Sequence, residues 1–101
     1  MKRIINGKLY DTDTAKLLGS YHNDFGPSDF EYFYEELYQK KNGEYYLYGE
    51  GGPKSDYAEF QGNVSIGSKR IIPISEDRAK EWAERNLEAD DYVNIFGVVE
   101  E

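Results

Sequence analysis

An asparagine-glycine pair near the start of the chain separates two short runs of apolar and charged residues. Lys2–Ile5 precedes Asn6-Gly7, and Lys8–Asp11 follows it. A two-residue type I′ turn needs positive φ at both central residues, which asparagine and glycine adopt more easily than other residues do. The sequence therefore predicts an antiparallel β-hairpin with its turn at Asn6-Gly7.

A second asparagine-glycine pair, Asn42-Gly43, lies between two runs that are rich in tyrosine and phenylalanine. Residues 30–40 precede the pair, and residues 44–48 follow it. Aromatic side chains are enriched in β-strands because they pack well on a pleated, half-buried surface. We therefore expect a second hairpin here, with aromatic side chains forming much of the core of a small sheet.

Four further stretches before the helices are expected to form two strands, a loop and a turn or helical segment. Ala15–Tyr21 fits a strand better than a short helical turn, and Gly49–Ser55 fits an irregular loop. Asp56–Phe60 is compatible with a brief turn or a helical segment. Ile71–Ile74 predicts an edge strand, because its proline cannot donate a hydrogen bond to a neighbouring strand.

Helix signals begin only at Ser75, which is followed by a long run with helical periodicity. Ser75 is a favourable N-cap, and the acidic residues directly after it suit the positive first turn of a helix. Four residues of the run, Ala79, Trp82, Ala83 and Leu87, lie on its apolar side, so Trp82 is expected in the core. A second short helix is expected from Asp90 or Asp91, ended by Gly97.

The order of these elements predicts the fold class. Strands come first and helices last, an order typical of α+β proteins, in which helices pack on an antiparallel sheet. We expect an antiparallel β-sheet built from hairpins and packed by the C-terminal helices. A length of 101 residues fits one globular domain spanning residues 1–101.

Charge and composition narrow the classes of partner. The chain carries 20 acidic and 12 basic side chains, for a formal net charge of -8, and it has no cysteine. A strongly negative surface repels nucleic acid and lipid headgroups, so neither direct nucleic-acid binding nor membrane binding is expected. The chain has no leader-like segment and no long apolar run, which predicts a cytoplasmic location. Cationic protein surfaces are the expected partners.

The acidic residues fall into two groups that are candidates for partner binding. In the predicted helix, Asp77, Glu81, Glu84 and Glu88 follow i, i+4, i+7, i+11 spacing and share one stripe. Successive members advance by roughly 4.5–6 Å along a helix, comparable to the spacing of phosphates along a nucleic acid strand. The second group, Asp29, Glu31, Glu35 and Glu36, lies in a segment without any basic residue. Each group is either an ordinary solvated surface or a mimic of nucleic acid that binds a basic groove.

No motif predicts catalysis, a metal site or a cofactor. Asp11-Thr12-Asp13-Thr14 resembles the nucleophile motif of haloacid-dehalogenase-like phosphatases, but the chain is too short for the parallel sheet that such a site needs. Gly49–Ser55 resembles a phosphate-binding loop, yet Pro53 removes a backbone N–H that would contact phosphate. His22 is the single histidine, and no spacing of carboxylates around it specifies a metal. We therefore expect a protein that is not an enzyme and has no cofactor.

Several segments together resemble a family of small uncharacterised proteins from bacterial chromosomes, phages and other mobile elements. These segments are Ile5-Asn6-Gly7-Lys8, Tyr10-Asp11-Thr12, Thr14-Ala15, Leu47–Pro53, Ser55 with Tyr57-Ala58, Ile72-Pro73-Ile74 and Glu81-Trp82-Ala83-Glu84. The resemblance spans nearly the whole chain and brings no catalytic residues.

The size and acidity of the chain are also similar to those of anti-CRISPR inhibitors, several of which cover the DNA-recognition groove of a CRISPR effector nuclease. This similarity implies an inhibitor that occupies a positively charged nucleic-acid-binding surface. A small protein-interaction or regulatory module without a CRISPR role is the alternative. Self-association is also left open, because the edge strand expected near Ile71 could pair with another copy.

Overall fold

The computed structural model describes residues 1–101 and contains eight β-strands followed by two α-helices. The elements in chain order are β1 Lys2–Ile5, β2 Lys8–Asp11, β3 Lys16–His22, β4 Phe33–Gln39, β5 Tyr45–Gly51, β6 Glu59–Gln61, β7 Val64–Ile66, β8 Ser68–Ile74, α1 Glu76–Asn86 and α2 Ala89–Phe96. All strand pairs are antiparallel. The predicted α+β class, with hairpins first and helices last, is confirmed.

Both asparagine-glycine pairs lie at hairpin turns, as predicted. Asn6 and Gly7 have φ angles of 50° and 78°, and the turn joins β1 to β2 with Ile5 opposite Lys8. Gly43 has a φ angle of 93° in the turn between β4 and β5. Because asparagine and glycine tolerate positive φ, these local sequences determine where the chain reverses.

The central sheet has four strands in the order β3-β4-β5-β8. β8 is an edge strand, as predicted, and Pro73 lies in it opposite Tyr46. β3 forms the other edge and contains a register shift between Leu17 and Gly19. A proline and a bulge both weaken the pairing of further strands, so each edge of the sheet carries a feature that discourages its extension.

Two predictions for the middle of the chain were wrong in part. The first three residues of the expected loop Gly49–Ser55 continue β5, which runs to Gly51. Of the expected turn or helical segment Asp56–Phe60, Asp56 and Tyr57 do form a turn, but Glu59 and Phe60 belong to β6. This strand pairs with β7 across a turn at Gly62, where φ is 65°. Glycine usually indicates a loop, but Gly49 is needed inside β5 for a packing reason. A Cβ at this position would lie within 2.2 Å of the Tyr57 ring, so only glycine leaves room for that ring.

Each face of the central sheet carries its own apolar cluster. On one face, Leu37 and Leu47 pack against Ala79, Trp82 and Ala83 of α1. The cluster on the other face consists of Tyr10, Tyr38, Tyr46 and Ile71, so the β1–β2 hairpin covers that face. The rings of Tyr38 and Tyr46 stack with centroids 5.2 Å apart, and Tyr10 meets Tyr46 edge-on at 5.3 Å. The aromatic residues therefore supply much of the core, as the composition predicts.

An ion-pair cluster connects the β1–β2 hairpin to the turn between β4 and β5. Glu44 accepts hydrogen bonds from Lys8 Nζ at 2.6 Å and Lys40 Nζ at 3.1 Å. These bonds, with a third from Asn42, hold the pKa of Glu44 at about 2, well below its ordinary value. Lys40 Nζ also lies 4.2 Å from the centroid of the Tyr10 ring. The two hairpins are thus joined by charge as well as by apolar contact.

The start of α1 is as predicted, but its end is not. Ser75 Oγ accepts a hydrogen bond of 3.1 Å from the backbone N of Arg78, which confirms the N-cap. α1 ends at Asn86, and Leu87 has an extended backbone with φ of -110° and ψ of 162°. A Cβ on Gly19 would lie 2.8 Å from Leu87 Cδ1, so the Leu87 side chain packs directly on β3. Helical periodicity cannot predict this departure, because it depends on a contact with a distant strand.

The second helix follows the prediction closely. α2 begins at Ala89, one residue before the expected start, and ends at Phe96, with Gly97 as its C-cap residue at a φ of 97°. Trp82 of α1 is only 8% exposed, so its expected place in the core is confirmed.

Neither helix has the length and apolar character that crossing a membrane requires.

Candidate functional site

Three of the predicted helical acids form a regular exposed row on α1. Asp77, Glu81 and Glu84 are exposed, whereas Ala79 and the neighbouring apolar residues of the helix face the sheet. We call these three acids the helix stripe. The apolar side of α1 packs on Leu37 and Leu47, so the opposite side presents the carboxylates from a helix that is fixed in place.

The acids of the helix stripe form no salt bridge within the protein. The three salt bridges of the structure join Lys2 to Asp11, and Lys8 and Lys40 to Glu44, all far from α1 in the sequence. Lys80 lies on the same helix, but its Nζ is placed 5.9 Å from the centroid of the Phe96 ring. Arg78 and Arg85 are exposed beside the stripe on α1 but form no salt bridge with it, so its carboxylates are open to a partner.

Glu88, the fourth predicted member of the stripe, is exposed but does not lie on α1. It is the N-cap residue of α2, with φ of -69° and ψ of 153°, and its side chain makes no capping hydrogen bond. Asp90 and Asp91 follow it in the exposed first turn of α2. The acidic surface thus continues from one helix to the next, while the regular helical spacing ends at Glu84.

The structure divides the second predicted group into exposed and partly buried acids. Asp29 and Glu31 are exposed in the loop between β3 and β4. Glu35 and Glu36 are partly buried in β4, and as neighbours in a strand they point to opposite faces of the sheet. The four residues consequently do not form one continuous surface.

Glu35 is held inside the helix-covered side of the sheet. Its Oε1 accepts a hydrogen bond of 3.0 Å from Trp82 Nε1, and its Oε2 accepts one from the Tyr57 hydroxyl. Burial is the main reason that the pKa of Tyr57 is raised, and the hydrogen bond to Glu35 adds to it. Both carboxylate oxygens of Glu35 are therefore used to join β4, the segment after β5, and α1.

Glu36 belongs to a network of tyrosines and glutamates on the other face of the sheet. Its carboxylate accepts hydrogen bonds from Tyr34 at 2.7 Å and from Tyr38 at 2.9 Å. Glu50 on β5 accepts in the same way from Tyr48 at 2.6 Å and from Tyr32 at 3.3 Å. Tyr34 lies opposite Glu50, so the two residue types alternate across the strands. Burial, followed by the bond to Glu36, raises the pKa of Tyr34 to about 12.

Two exposed aromatic residues lie beside the loop acids and were not among the predicted site residues. Phe25 and Phe30 are 43% and 61% exposed, and both line a shallow depression together with Asp29 and Glu31. We call these four residues the loop patch. Phe25 lies in the stretch His22–Ser28, which reads as a loop, whereas Phe30 was wrongly expected to begin a strand: β4 starts only at Phe33, so both rings lie in the loop between β3 and β4. Exposed aromatic side chains next to charged ones are typical of protein interfaces.

No model of a known protein family matches the chain, and neither a curated protein nor a solved structure is significantly similar to it. No three histidine, aspartate or glutamate side chains are grouped so that they could hold a metal ion.

Proposed function

We propose that this protein is a non-enzymatic inhibitor of the anti-CRISPR type, which occupies a positively charged nucleic-acid-binding surface of a CRISPR effector nuclease. One observation carries the proposal. Asp77, Glu81 and Glu84 stand exposed in a row on α1, and none of them is paired with a base. A surface of this kind suits a groove lined with lysine and arginine.

The spacing and the fixed backbone of the helix stripe support this kind of partner. Asp77 and Glu84 are seven residues apart, which corresponds to about 10 Å along the helix axis. The apolar side of α1 packs on the sheet, so the carboxylates need not be ordered from a flexible chain when a partner binds. A single exposed ion pair contributes only about 0–1 kcal/mol, so a tight complex needs several such pairs together with apolar contacts.

The loop patch offers those apolar contacts. Phe25 and Phe30 expose large aromatic surfaces beside Asp29 and Glu31. Aromatic residues are frequent among those that dominate binding energy. The two acids outnumber Lys54, the one base that lines the same depression, which favours a basic partner. In this proposal the helix stripe and the loop patch are the binding residues. Glu88 adds charge next to the stripe, whereas Glu35 and Glu36 act indirectly by holding the sheet and helix in place.

The test is DNA cleavage by a panel of CRISPR effector nucleases in the presence of excess protein. The wild type is expected to inhibit at least one effector, and added salt should weaken the inhibition, because exposed charges are screened over about 8–10 Å. The variant Asp77→Lys/Glu81→Lys/Glu84→Lys should lose inhibition while remaining folded by circular dichroism. Its altered side chains point away from the core.

A matched control changes the same number of charges elsewhere. Asp13, Asp56 and Glu59 are exposed and lie outside both the helix stripe and the loop patch. Replacing all three by lysine also moves the net charge from -8 to -2, since each reversal adds two units. This control should inhibit like the wild type. The proposal would be contradicted if the wild type inhibited no effector. It would also be contradicted if the stripe variant inhibited as strongly as the wild type.

The loop patch also favours a second candidate, a protein-interaction module without a CRISPR role. Exposed Phe25 and Phe30 would serve any protein partner that offers an apolar pocket with basic residues around it. This candidate predicts that Phe25→Ser/Phe30→Ser abolishes binding to the partner, whereas reversal of the helix stripe leaves binding intact. Both candidates predict that the Phe25/Phe30 variant binds less well, so reversal of the helix stripe is the variant that separates them once a partner is available.

A further inference from the structure

Two separate segments of the protein each expose apolar side chains next to charges of one sign. Val98 and Ile4 are 94% and 75% exposed, which places them among the most exposed large apolar residues of the protein. Ile4 lies in β1, whose sequence is Lys2-Arg3-Ile4-Ile5. Val98 begins the segment Val98-Val99-Glu100-Glu101, which follows α2 and has no regular secondary structure.

β1 has an unpaired edge that could accept another strand. It pairs only with β2, in a two-stranded sheet separate from the central one. In a two-residue hairpin the pair next to the turn, here Ile5 and Lys8, exchanges backbone hydrogen bonds, and every second pair does the same. The backbone N–H and C=O groups of Ile4 therefore point away from β2. An exposed edge of this kind is a template for strand addition.

The two segments are complementary in both charge and apolarity when they run antiparallel. Ile5 would lie opposite Val98 and Ile4 opposite Val99, so apolar residues would meet apolar ones. Arg3 would lie opposite Glu100, and Lys2 opposite Glu101. Directly opposed apolar pairs and opposite charges both stabilise antiparallel strands. In a parallel alignment the bases would face the valines, so the complementarity holds for the antiparallel direction alone.

The basic residues of β1 form few ion pairs or hydrogen bonds with the rest of the protein. Lys2 is 68% exposed, and its Nζ lies 3.8 Å from Asp11, a long distance for an ion pair. Arg3 makes no salt bridge, and its guanidinium contacts only the backbone carbonyl of Lys2 at 3.5 Å. Glu100 and Glu101 likewise make no salt bridge. Arg3, Glu100 and Glu101 are therefore free to pair with a partner strand, and Lys2 would exchange its long contact with Asp11 for one with Glu101.

We propose that the segment Val98–Glu101 of one copy of this protein adds as an antiparallel third strand to β1 of a second copy. The occupant of the β1 edge is thus another molecule of the same chain. At about 3.3 Å per residue, both four-residue segments span about 13 Å, so they match in length. This association is independent of the helix stripe and the loop patch.

Sedimentation velocity of the full chain over a concentration series, up to about 1 mM, tests the proposal. The wild type should move from monomer to a larger species as concentration rises. Glu100→Lys/Glu101→Lys should raise the apparent Kd at least about tenfold, because two opposed charge pairs become repulsive. Lys2→Glu/Arg3→Glu should do the same. The variant that carries all four reversals restores the complementarity and should associate again.

Two further variants separate this interface from general charge effects and from unfolding. Val99→Pro removes a strand hydrogen-bond donor from a segment without regular structure, so it should weaken association and leave the monomer folded. Asp56→Lys/Glu59→Lys changes the net charge by as much as the Glu100/Glu101 reversal does and should leave association unchanged. A wild type that stays monomeric throughout would overturn the proposal. So would association that the Glu100/Glu101 reversal or Val99→Pro does not weaken, or that the fourfold reversal does not restore.

Discussion

Trp82 Nε1 donates a hydrogen bond of 3.0 Å to Oε1 of Glu35 and so joins α1 to β4 across 47 residues of sequence. The Tyr57 hydroxyl donates to the other oxygen of the same carboxylate. An acid inside the helix-covered side of a sheet would be costly without such partners. Glu35 and Trp82 therefore form a polar connection within an otherwise apolar contact.

We expect Trp82→Phe to lower the free energy of unfolding by about 1–3 kcal/mol, because Glu35 then keeps an oxygen that lacks its donor. Urea unfolding of the two proteins measures the difference. In a Glu35→Ala background the same substitution should lower the free energy of unfolding clearly less, since no carboxylate remains that could lose its hydrogen-bond donor. An equal cost in both backgrounds would show that the hydrogen bond contributes nothing and that ring size alone matters.

Gly49→Ala should destabilise the protein by about 1–3 kcal/mol or more. Its Cβ would lie 2.0 Å from Cζ of Tyr57, and that ring is buried and bonded to Glu35. Thermal and urea unfolding measure the loss. If the steric contact is the cause, Gly49→Ala should be much less harmful in a Tyr57→Ala background. Additive effects of the two substitutions would contradict this explanation.

Gly7→Val should cost at least about 1 kcal/mol of unfolding free energy, because a β-branched residue is strained at a φ of 78°. The space around the site is not limiting, since a Cβ there would have no neighbour within 4 Å. Gly7→Asn is the matched control and should cost less, because asparagine tolerates positive φ. Equal stability of all three proteins in urea unfolding would rule out a contribution of this turn.

Replacing Glu36 by glutamine should lower the pKa of Tyr34. In the wild type, burial and the hydrogen bond to Glu36 raise that pKa to about 12. A folded-state pKa above the unfolded value of about 10 stabilises the protein fully below pH 10, and this contribution is lost as the pH rises through 12. In the Glu36→Gln variant this contribution should be smaller, and its loss should be complete at a lower pH, because the folded-state pKa of Tyr34 then lies closer to 10.

An NMR titration of the tyrosine rings measures the Tyr34 midpoint in both proteins. Tyr57 serves as an internal control, because its carboxylate partner is Glu35 and its raised pKa should not change. A Tyr34 midpoint that is the same in the wild type and in Glu36→Gln would mean that burial alone sets it.

The sequence predicted those elements whose signals are local. Asn6-Gly7 and Asn42-Gly43 mark turns through their own backbone preferences, and Ser75 caps α1 with its own hydroxyl. Errors arose where a distant contact decides the structure. Gly49 continues a strand because the Tyr57 ring needs the space, and α1 ends early beside Leu87, which packs on Gly19. Neither contact leaves a periodic pattern in the sequence.

In the candidate site, too, the sequence predicted correctly where a local pattern sets the structure and failed where it does not. Helical spacing correctly placed Asp77, Glu81 and Glu84 on one exposed side, because a helix repeats every 3.6 residues whatever it packs against. The acids near β4 were grouped by nearness in sequence alone. In a strand, neighbouring side chains point to opposite faces, so Glu35 and Glu36 were separated as soon as a strand formed there.

The position of the helices at the end of the chain has a consequence for biosynthesis. Leu37 and Leu47 are covered by α1, whose residues emerge from the ribosome well after β4 and β5 have been made. The two hairpins can form early from local contacts, yet one face of the nascent sheet stays bare until Trp82 and its helix follow. A stalled or truncated chain that ends before Ser75 would therefore expose this apolar surface to chaperones and to other nascent chains.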